Sequence, residues 1–189
     1  MQAEACLVLS RRQPVGWART MTDLVTRTLS PALERGVRTL LELAFEGGFA
    51  ETDWAHAQGG HHALVLEGER VLAHAAVVER TLYVGGRGRS AGYVEAVAVH
   101  PEWQRLGLGT RVMGQLAPVL TRWELCALST GQHGFYGGLG WQRWRGPTWI
   151  HTSSGRQRSP DEDDGVMVLG GAGDRTRSLG CDDRPGDAW

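Results

Sequence analysis

Six consecutive residues, Gln104-Arg105-Leu106-Gly107-Leu108-Gly109, combine two glycines, one fixed cation and the start of an amphipathic run. Glycines let a backbone approach a ligand closely and adopt dihedrals that other residues avoid. The first N–H groups of a helix have no intrahelical partner and carry partial positive charge. Together these features make an anion site suited to a pyrophosphate, and Arg105 adds charge beside it. Rival phosphate motifs fit worse. Val112 stands where G-x-G-x-x-G requires its third glycine, and no lysine follows for a Walker loop. All 20 basic residues are arginine, which also removes Schiff-base chemistry.

Two other features stand out by position. Glu95 interrupts the apolar run Tyr93 to Val99, where an acid is costly unless it is used or paired. From Pro160 to Trp189, eight acids face three arginines, a net −5 in a chain whose total is −1. Such a segment is either a solvated tail or a surface that attracts a polycation. The overall charge gives no sign of nucleic acid as a partner. Cys6, Cys126 and Cys181 lie far apart, and His61-His62 has no second cluster at ligand spacing, so reduced thiols and no metal are expected.

These residues need elements to position them. Ser30-Pro31 reads as a helix start, with serine as cap, Glu34 in the first turn, and Leu33, Val37, Leu40, Leu41, Ala44 and Phe45 on one face. Gly47-Gly48 ends it, and Glu51 to Ala57 suits a short second helix or turn. Leu24-Val25, Ala63 to Leu66, Val71 to Val78, Leu82 to Val84 and Tyr93 to Val99 read as extended. Gly85 to Gly88 forms a flexible turn. Gly107 to Arg122 is helical by pattern, with Pro118 expected to kink it. Leu125 to Leu128, Trp141 to Trp144 and Val166 to Leu169 are further strands, and His133 to Leu139 a short helix or turn. Strands outnumber helices in an α/β sheet protein. At 189 residues with 41% apolar content, a single domain with a full core is expected over residues 21–189, with 1–20 as an unassigned extension and 160–189 as its acidic C-terminal segment. No apolar run approaches the roughly 20 residues of a membrane span. Arg11-Arg12 follows a short apolar patch instead of preceding it, the reverse of a secretion signal. A cytoplasmic location is therefore expected.

A strand, then Gln104-Arg105-x-Gly107-x-Gly109, then a helix resembles the pyrophosphate loop of the GNAT acetyltransferase superfamily. Phe135-Tyr136-Gly137-Gly138-Leu139-Gly140-Trp141 resembles that superfamily's late F-Y-x-x-x-G-F/W stretch, and Tyr136 lies 27 residues after Gly109. The resemblance implies a GNAT fold, α/β (α+β), with a central mixed, mostly antiparallel twisted sheet flanked by helices. It also implies acetyl-CoA as cosubstrate. From about Leu24 to Trp189 the chain is similar to the aminoglycoside 2′-N-acetyltransferases. The likeness is carried by Phe49 to Trp54, Gly92 to Val99, Gly146-Pro147-Thr148, the acidic run Pro160 to Gly165 and the ending Cys181 to Trp189.

That resemblance implies roles residue by residue. Glu95 is the general base, directly or through water, and Tyr136 is the acid that protonates the departing thiolate. Val97, Ala98 and Val99 hold the acetyl carbonyl and pantetheine by their backbone, and Gln104, Arg105, Leu106, Gly107, Leu108 and Gly109 hold the pyrophosphate. Asp53, Glu95, Ala96, Ser129, Asp187 and Trp189 with its carboxylate meet the drug, while Glu162 and Asp163 compete for one further contact. Gly48 stands where the family carries an aspartate, and the loop from Ser129 to His133 is short. Both departures bear on the drug range. Family members often pair, which implies a homodimer by analogy alone.

The chemistry fits these assignments. A sugar amine is mostly protonated near neutral pH and must lose a proton before attacking a thioester. A backbone N–H near Val97 suits the developing oxyanion. Scattered carboxylates complement a molecule with several ammonium groups. Three acceptor readings stay open beside a gentamicin-type aminoglycoside: kasugamycin, another small amine, and no acceptor at all in an acyl-CoA sensor.

Overall fold

A computed structural model describes residues 20–171 and 173–189. All but the last residue of the expected N-terminal extension 1–20, Cys6 included, lies outside them. In chain order the elements are β1 (Met21–Thr26), α1 (Pro31–Ala44), α2 (Glu51–Ala57), β2 (His61–Glu67), β3 (Arg70–Val84), β4 (Arg87–Val99), α3 (Leu108–Leu120), β5 (Leu125–Ser129), α4 (His133–Gly138), β6 (Gln142–Arg143), β7 (Thr148–Thr152), β8 (Gly155–Arg158), β9 (Val166–Gly170) and β10 (Leu179–Asp182). Single 3-10 turns lie at Pro101–Trp103 and Pro160–Glu162.

Among the described residues all ten strands belong to one sheet, ordered β6-β9-β5-β4-β3-β10-β7-β8, with β1 and β2 attached to the first half of β3. Only β4–β5 and β10–β7 pair in parallel. The mixed, mostly antiparallel sheet expected from the resemblance is therefore present. Helix α1 begins as its sequence requires: the Ser30 hydroxyl accepts from the Leu33 N–H at 3.3 Å, with Pro31 next. Val37, Leu40 and Leu41 bury against Leu64, Leu66, Val71 and Ala98 on one face of the sheet. On the opposite face α3 lays Leu108, Val112, Met113, Leu116, Val119 and Leu120 onto β2, β3 and β4. Pro118 lies within α3, which ends two residues later.

Two expectations need correction, and one open choice is decided. The separate strands Val71–Val78 and Leu82–Val84 are one 15-residue strand, because Thr81 and its neighbours carry the ladder through. Strand β4 begins at Arg87 and not at Tyr93. Gly85 and Gly86, both with positive φ, close a two-residue hairpin that draws the arginine-rich stretch into register. Of the two readings left open for the acidic segment, the solvated tail fails. The segment supplies β9 and β10, and β10 inserts between β3 and β7. Strands β7, β8 and β10 escape the sequence pattern because they lack alternation: Trp149-Ile150-His151 is half-buried throughout and β8 is almost wholly polar.

The feature that shapes the site is a bulge in β4. Register places Glu95 opposite Ala76 and Ala98 opposite His74, so Ala75 alone faces Ala96 and Val97. Ala96 takes a φ of 52°, a left-handed conformation that costs a non-glycine residue about 1–2 kcal/mol. The extra residue flips the alternation. Before it, Val94 faces α3 while Tyr93 and Glu95 face the other side. After it, Val97 and Val99 face α3 and Ala98 faces α1.

Candidate active site

Strands β4 and β5 pair only at Gly92–Cys126 and Tyr93–Ala127 and then part. At that junction a Cβ on Gly92 would lie 2.7 Å from the Trp123 ring and 3.0 Å from Cys126 Sγ, so only glycine admits the approach. Beyond it opens a cleft of about 820 Å³, walled by the second half of β4, the Gln104–Gly109 turn and the segment from Leu128 to Tyr136.

The β4 edge facing the cleft turns backbone groups away from β3. His100 N–H donates to Leu72 C=O at 2.8 Å, which sets the hydrogen-bond parity of the strand's end. Ala98 and His100 turn toward β3, so Val97 and Val99 turn their N–H and C=O away from it, into the cleft. In agreement, the Gln104 side-chain amide donates to Val99 C=O at 3.4 Å. An extended ligand bearing amides can pair with such an edge as an added strand does.

The same wall ends in the anion turn. Arg105 (φ 62°) and Gly107 (φ 85°) both take left-handed conformations, which curl successive N–H groups into a concave cradle. Arg111 N–H is the first to bond back within α3, to Gly107 C=O at 2.9 Å, so the N–H groups of Leu108, Gly109 and Thr110 precede the helix's own ladder. The two glycines serve different ends. Gly107 supplies the dihedral, with open space where its Cβ would be. Gly109 supplies room, since a Cβ there would lie 3.2 Å from the Phe135 ring. Edge amides running into an N–H cradle fit a long ligand with amides along its arm and a pyrophosphate at its end.

Of the cofactor residues expected from sequence, Val97, Ala98, Val99, Gln104, Arg105, Gly107 and Gly109 line the cleft. Leu106 and Leu108 do not: the first is 66% exposed outside the lining and the second is packed in the core, which leaves Leu108 only its backbone to contribute. Both expected catalytic residues line it. Tyr136 is buried edge-on against Trp141, and that burial pushes its hydroxyl up to about 12, which keeps it protonated as a donor.

Glu95 sits beneath the C-terminal segment. Its Oε1 accepts from Arg184 in a short ion pair, and its Oε2 lies 4.0 Å from His56 Nδ1; both partner side chains are largely buried. His56 is held by donating from Nε2 to Pro185 C=O at 2.8 Å. Arg184 also donates to the Asp187 C=O (3.0 Å) and to a carboxylate oxygen of Trp189 (3.4 Å). Buried Arg80 donates to Ala188 C=O at 2.7 Å and grips Asp182. The segment is thus folded down onto Glu95 and not left in solvent.

The expected acceptor contacts divide. Glu95, Ala96, Ser129 and Trp189 line the cleft, whereas Asp53, Glu162, Asp163 and Asp187 stand outside its lining. Asp53 accepts from Ala50 N–H at 3.0 Å, capping α2, and Asp187 accepts from Trp189 N–H at 3.1 Å. Glu162 reaches the rim, accepting from the Ser129 hydroxyl at 2.6 Å. Asp163 is committed to Arg158 and to both donors of Thr148, and those bonds hold its carboxyl down at about 2. Arg184 and His56 were not found from sequence. The one signal was Glu95 itself, an acid in an apolar strand that needs a partner, and the partner lies 89 residues away.

Among the described residues, no three His, Cys, Asp or Glu side chains gather as a metal site, and no helix is long and apolar enough to cross a membrane.

Residues 21–141 match the acetyltransferase (GNAT) family. Over 173 residues the chain is 40% identical to an aminoglycoside 2′-N-acetyltransferase of Mycolicibacterium fortuitum, covering 87% of this chain and 89% of that one. A GNAT family N-acetyltransferase from Escherichia coli, solved in complex with CoA, is similar with a TM-score of 0.63 at 15% identity, covering 86% of this chain and 91% of the other. A GCN5-related N-acetyltransferase from Kribbella flavida gives a TM-score of 0.56 at 22% identity. It matches 70% of this chain, which spans only 36% of that protein's length. These two structural likenesses bear on the fold.

Proposed function

The chain belongs to the GNAT acetyltransferase family and is an acetyl-CoA-dependent N-acetyltransferase, and from that premise we propose that its acceptor is the 2′-amine of an aminoglycoside, whose acetylation confers resistance. The observation that carries this reading is the position of Glu95. The bulge turns its carboxylate away from the Val97 and Val99 side chains and toward α2 and the folded-down acidic segment. The relative from M. fortuitum, named for this activity, supports the same acceptor.

Acetyl-CoA supplies an activated thioester carbonyl. The cradle Gln104–Gly109 holds its pyrophosphate, and the edge groups of Val97 and Val99 pair with its amides. Glu95, directly or through one water, takes the proton from the acceptor ammonium, freeing the nitrogen lone pair to form the new C–N bond. The Val97 N–H donates to the carbonyl oxygen as negative charge develops there. Tyr136 donates its hydroxyl proton to the sulfur as the C–S bond breaks and is reprotonated, directly or through water, by the second proton that the acceptor nitrogen sheds as the amide forms, while the proton held by Glu95 returns to solvent. No covalent enzyme intermediate is required. Cys126 and Cys181 are buried, and burial pushes both thiols up to about 11, so neither is a thiolate nucleophile.

The test is thiol release from acetyl-CoA with gentamicin, tobramycin, kasugamycin, spermidine and a peptide amine as acceptors. Product NMR then locates the acetyl group. Turnover of at least one aminoglycoside with acetylation at the 2′ nitrogen is expected. Turnover of spermidine or the peptide alone would remove the acceptor assignment and leave the transferase.

A further inference from the structure

Two buried histidines have no place in the chemistry above. His74 on β3 is fully buried and His62 on β2 nearly so. His74 Nδ1 lies 2.8 Å from Ala96 C=O, and His74 Nε2 lies 3.0 Å from His62 Nδ1. The chemistry of the three groups fixes every proton. A carbonyl can only accept, so His74 Nδ1 carries the hydrogen and donates it. A neutral His74 then has a lone pair on Nε2, which accepts from His62 Nδ1–H. Burial is the main cause that holds His74 down at about 3, and the His62 ring adds to it. The pair therefore works as a neutral, one-way relay that ends on a single carbonyl.

That carbonyl belongs to the bulge. Ala96 holds a left-handed φ without being glycine, and such a conformation persists only where its surroundings over-determine it. Inserting the extra residue takes Ala96 C=O out of the β3–β4 ladder, and the His74 ring satisfies it instead. On one side of Ala96 is Glu95 and on the other is Val97, the two residues that must meet the amine and the thioester carbonyl together. We propose that His74, backed by His62, is a positioning residue that sets the angle between the Val97 N–H and the Glu95 carboxylate by clamping the Ala96 carbonyl between them. The inference rests on acetyl-CoA as ligand and on the roles given to Val97 and Glu95. It does not depend on the acceptor.

The test uses the whole chain and needs no acceptor. Dissociation constants for acetyl-CoA and for CoA are measured by calorimetry on the wild type, His74→Leu, His74→Asn and His62→Leu, with melting temperature as a control for folding. The Gln104–Gly109 cradle and the edge pairing with the pantetheine amides grip both ligands, whereas only acetyl-CoA presents a thioester carbonyl to the Val97 N–H. His74→Leu should therefore weaken acetyl-CoA about five- to tenfold more than CoA, the scale of one hydrogen bond. Asparagine places an N–H the same number of bonds from Cα as His74 Nδ1, so His74→Asn should return the ratio to within about twofold of wild type. His62→Leu leaves His74 Nε2 without its donor and should fall between them. ¹⁵N NMR should show His74 protonated at Nδ1 and bare at Nε2. A folded His74→Leu with an unchanged acetyl-CoA to CoA ratio overturns the proposal, as does a His74→Asn no better than leucine. If the leucine variant fails to fold, His74→Asn with a lost ratio overturns the proposal, and His74→Asn with a kept ratio beside a weakened His62→Leu upholds it.

Discussion

The two sides of the cleft are built from different material. The proposed cofactor side is main chain: edge groups of Val97 and Val99, then a cradle of N–H groups opened by Arg105 and Gly107. The proposed acceptor side is side chain: Glu95 from β4, His56 from α2, Ser129 from β5, and Arg184 with Trp189 from a segment far along the sequence. A backbone site needs only the right dihedrals at consecutive residues, and it tolerates change in the side chains around it. A side-chain site needs carboxylates and cations delivered by several elements at once. It can be retuned one residue at a time, which suits the side that chooses the acceptor.

This contrast makes the largest prediction. Glu95→Gln should lower kcat/KM for the amine by about 10²–10⁴ while leaving the acetyl-CoA dissociation constant within about twofold. Equal damage to both substrates would mean that Glu95 holds the cleft open through Arg184 and does not act on the acceptor. Next in size, Tyr136→Phe should lower kcat by about 10² with both KM values little changed. Burial keeps that hydroxyl protonated to about 12, so the wild type should show no loss of activity from this group between pH 7 and 10. An alkaline limb removed by the phenylalanine variant would contradict the donor role.

The same contrast explains how much could be read from sequence. The cradle was legible because its residues are contiguous: two glycines, an arginine and a helix start lie within six positions. The strand before it and α1 were legible because periodicity and capping are local. The bulge was not, since nothing in Val94-Glu95-Ala96-Val97 marks where an extra residue sits. It is set by the register with β3 and by His74, 22 positions away. The folding of the acidic segment was also hidden, because Arg80, 102 residues before Asp182, is what draws it in. The eight acids promised a polycation-binding surface, but net charge cannot tell an open carboxylate from one already spent on an arginine, as Asp163 is.

The cofactor side can be probed through its dihedrals. Gly107→Ala should cost about 1–3 kcal/mol of stability, because φ 85° strains any side chain, although its Cβ would meet no protein atom. It should also weaken CoA binding several-fold by flattening the cradle. Gly114, inside α3 with equally open space around its Cβ, is the control. Gly114→Ala should gain about 0.5–1 kcal/mol, as expected in a helix interior, and leave CoA binding alone. If both variants bind CoA alike, the left-handed cradle is not what grips the phosphates.

The smallest effects separate two neighbouring acids that sequence alone could not. Glu162 touches the cleft only through the Ser129 hydroxyl, so Glu162→Gln should raise the aminoglycoside KM about threefold and leave melting unchanged, a change within the range of one exposed charge. Asp163 should behave in the opposite way. Its bonds to Arg158 and Thr148 tie β7, β8 and the 3-10 turn together, so Asp163→Asn should cost stability and spare KM. The carboxylate is 36% exposed, and solvent screening limits its contribution to about 1 kcal/mol. The sign follows from its depressed titration. The unfolded carboxyl titrates near 3.9 and the folded one at about 2, so the stabilisation is present above about pH 4 and fades as pH falls toward 2. Urea melts of wild type and Asp163→Asn should therefore differ at pH 6 and converge near pH 2. A gap that persists at pH 2, or an Asp163→Asn enzyme with a raised KM for the drug, would move Asp163 from the scaffold to the acceptor side.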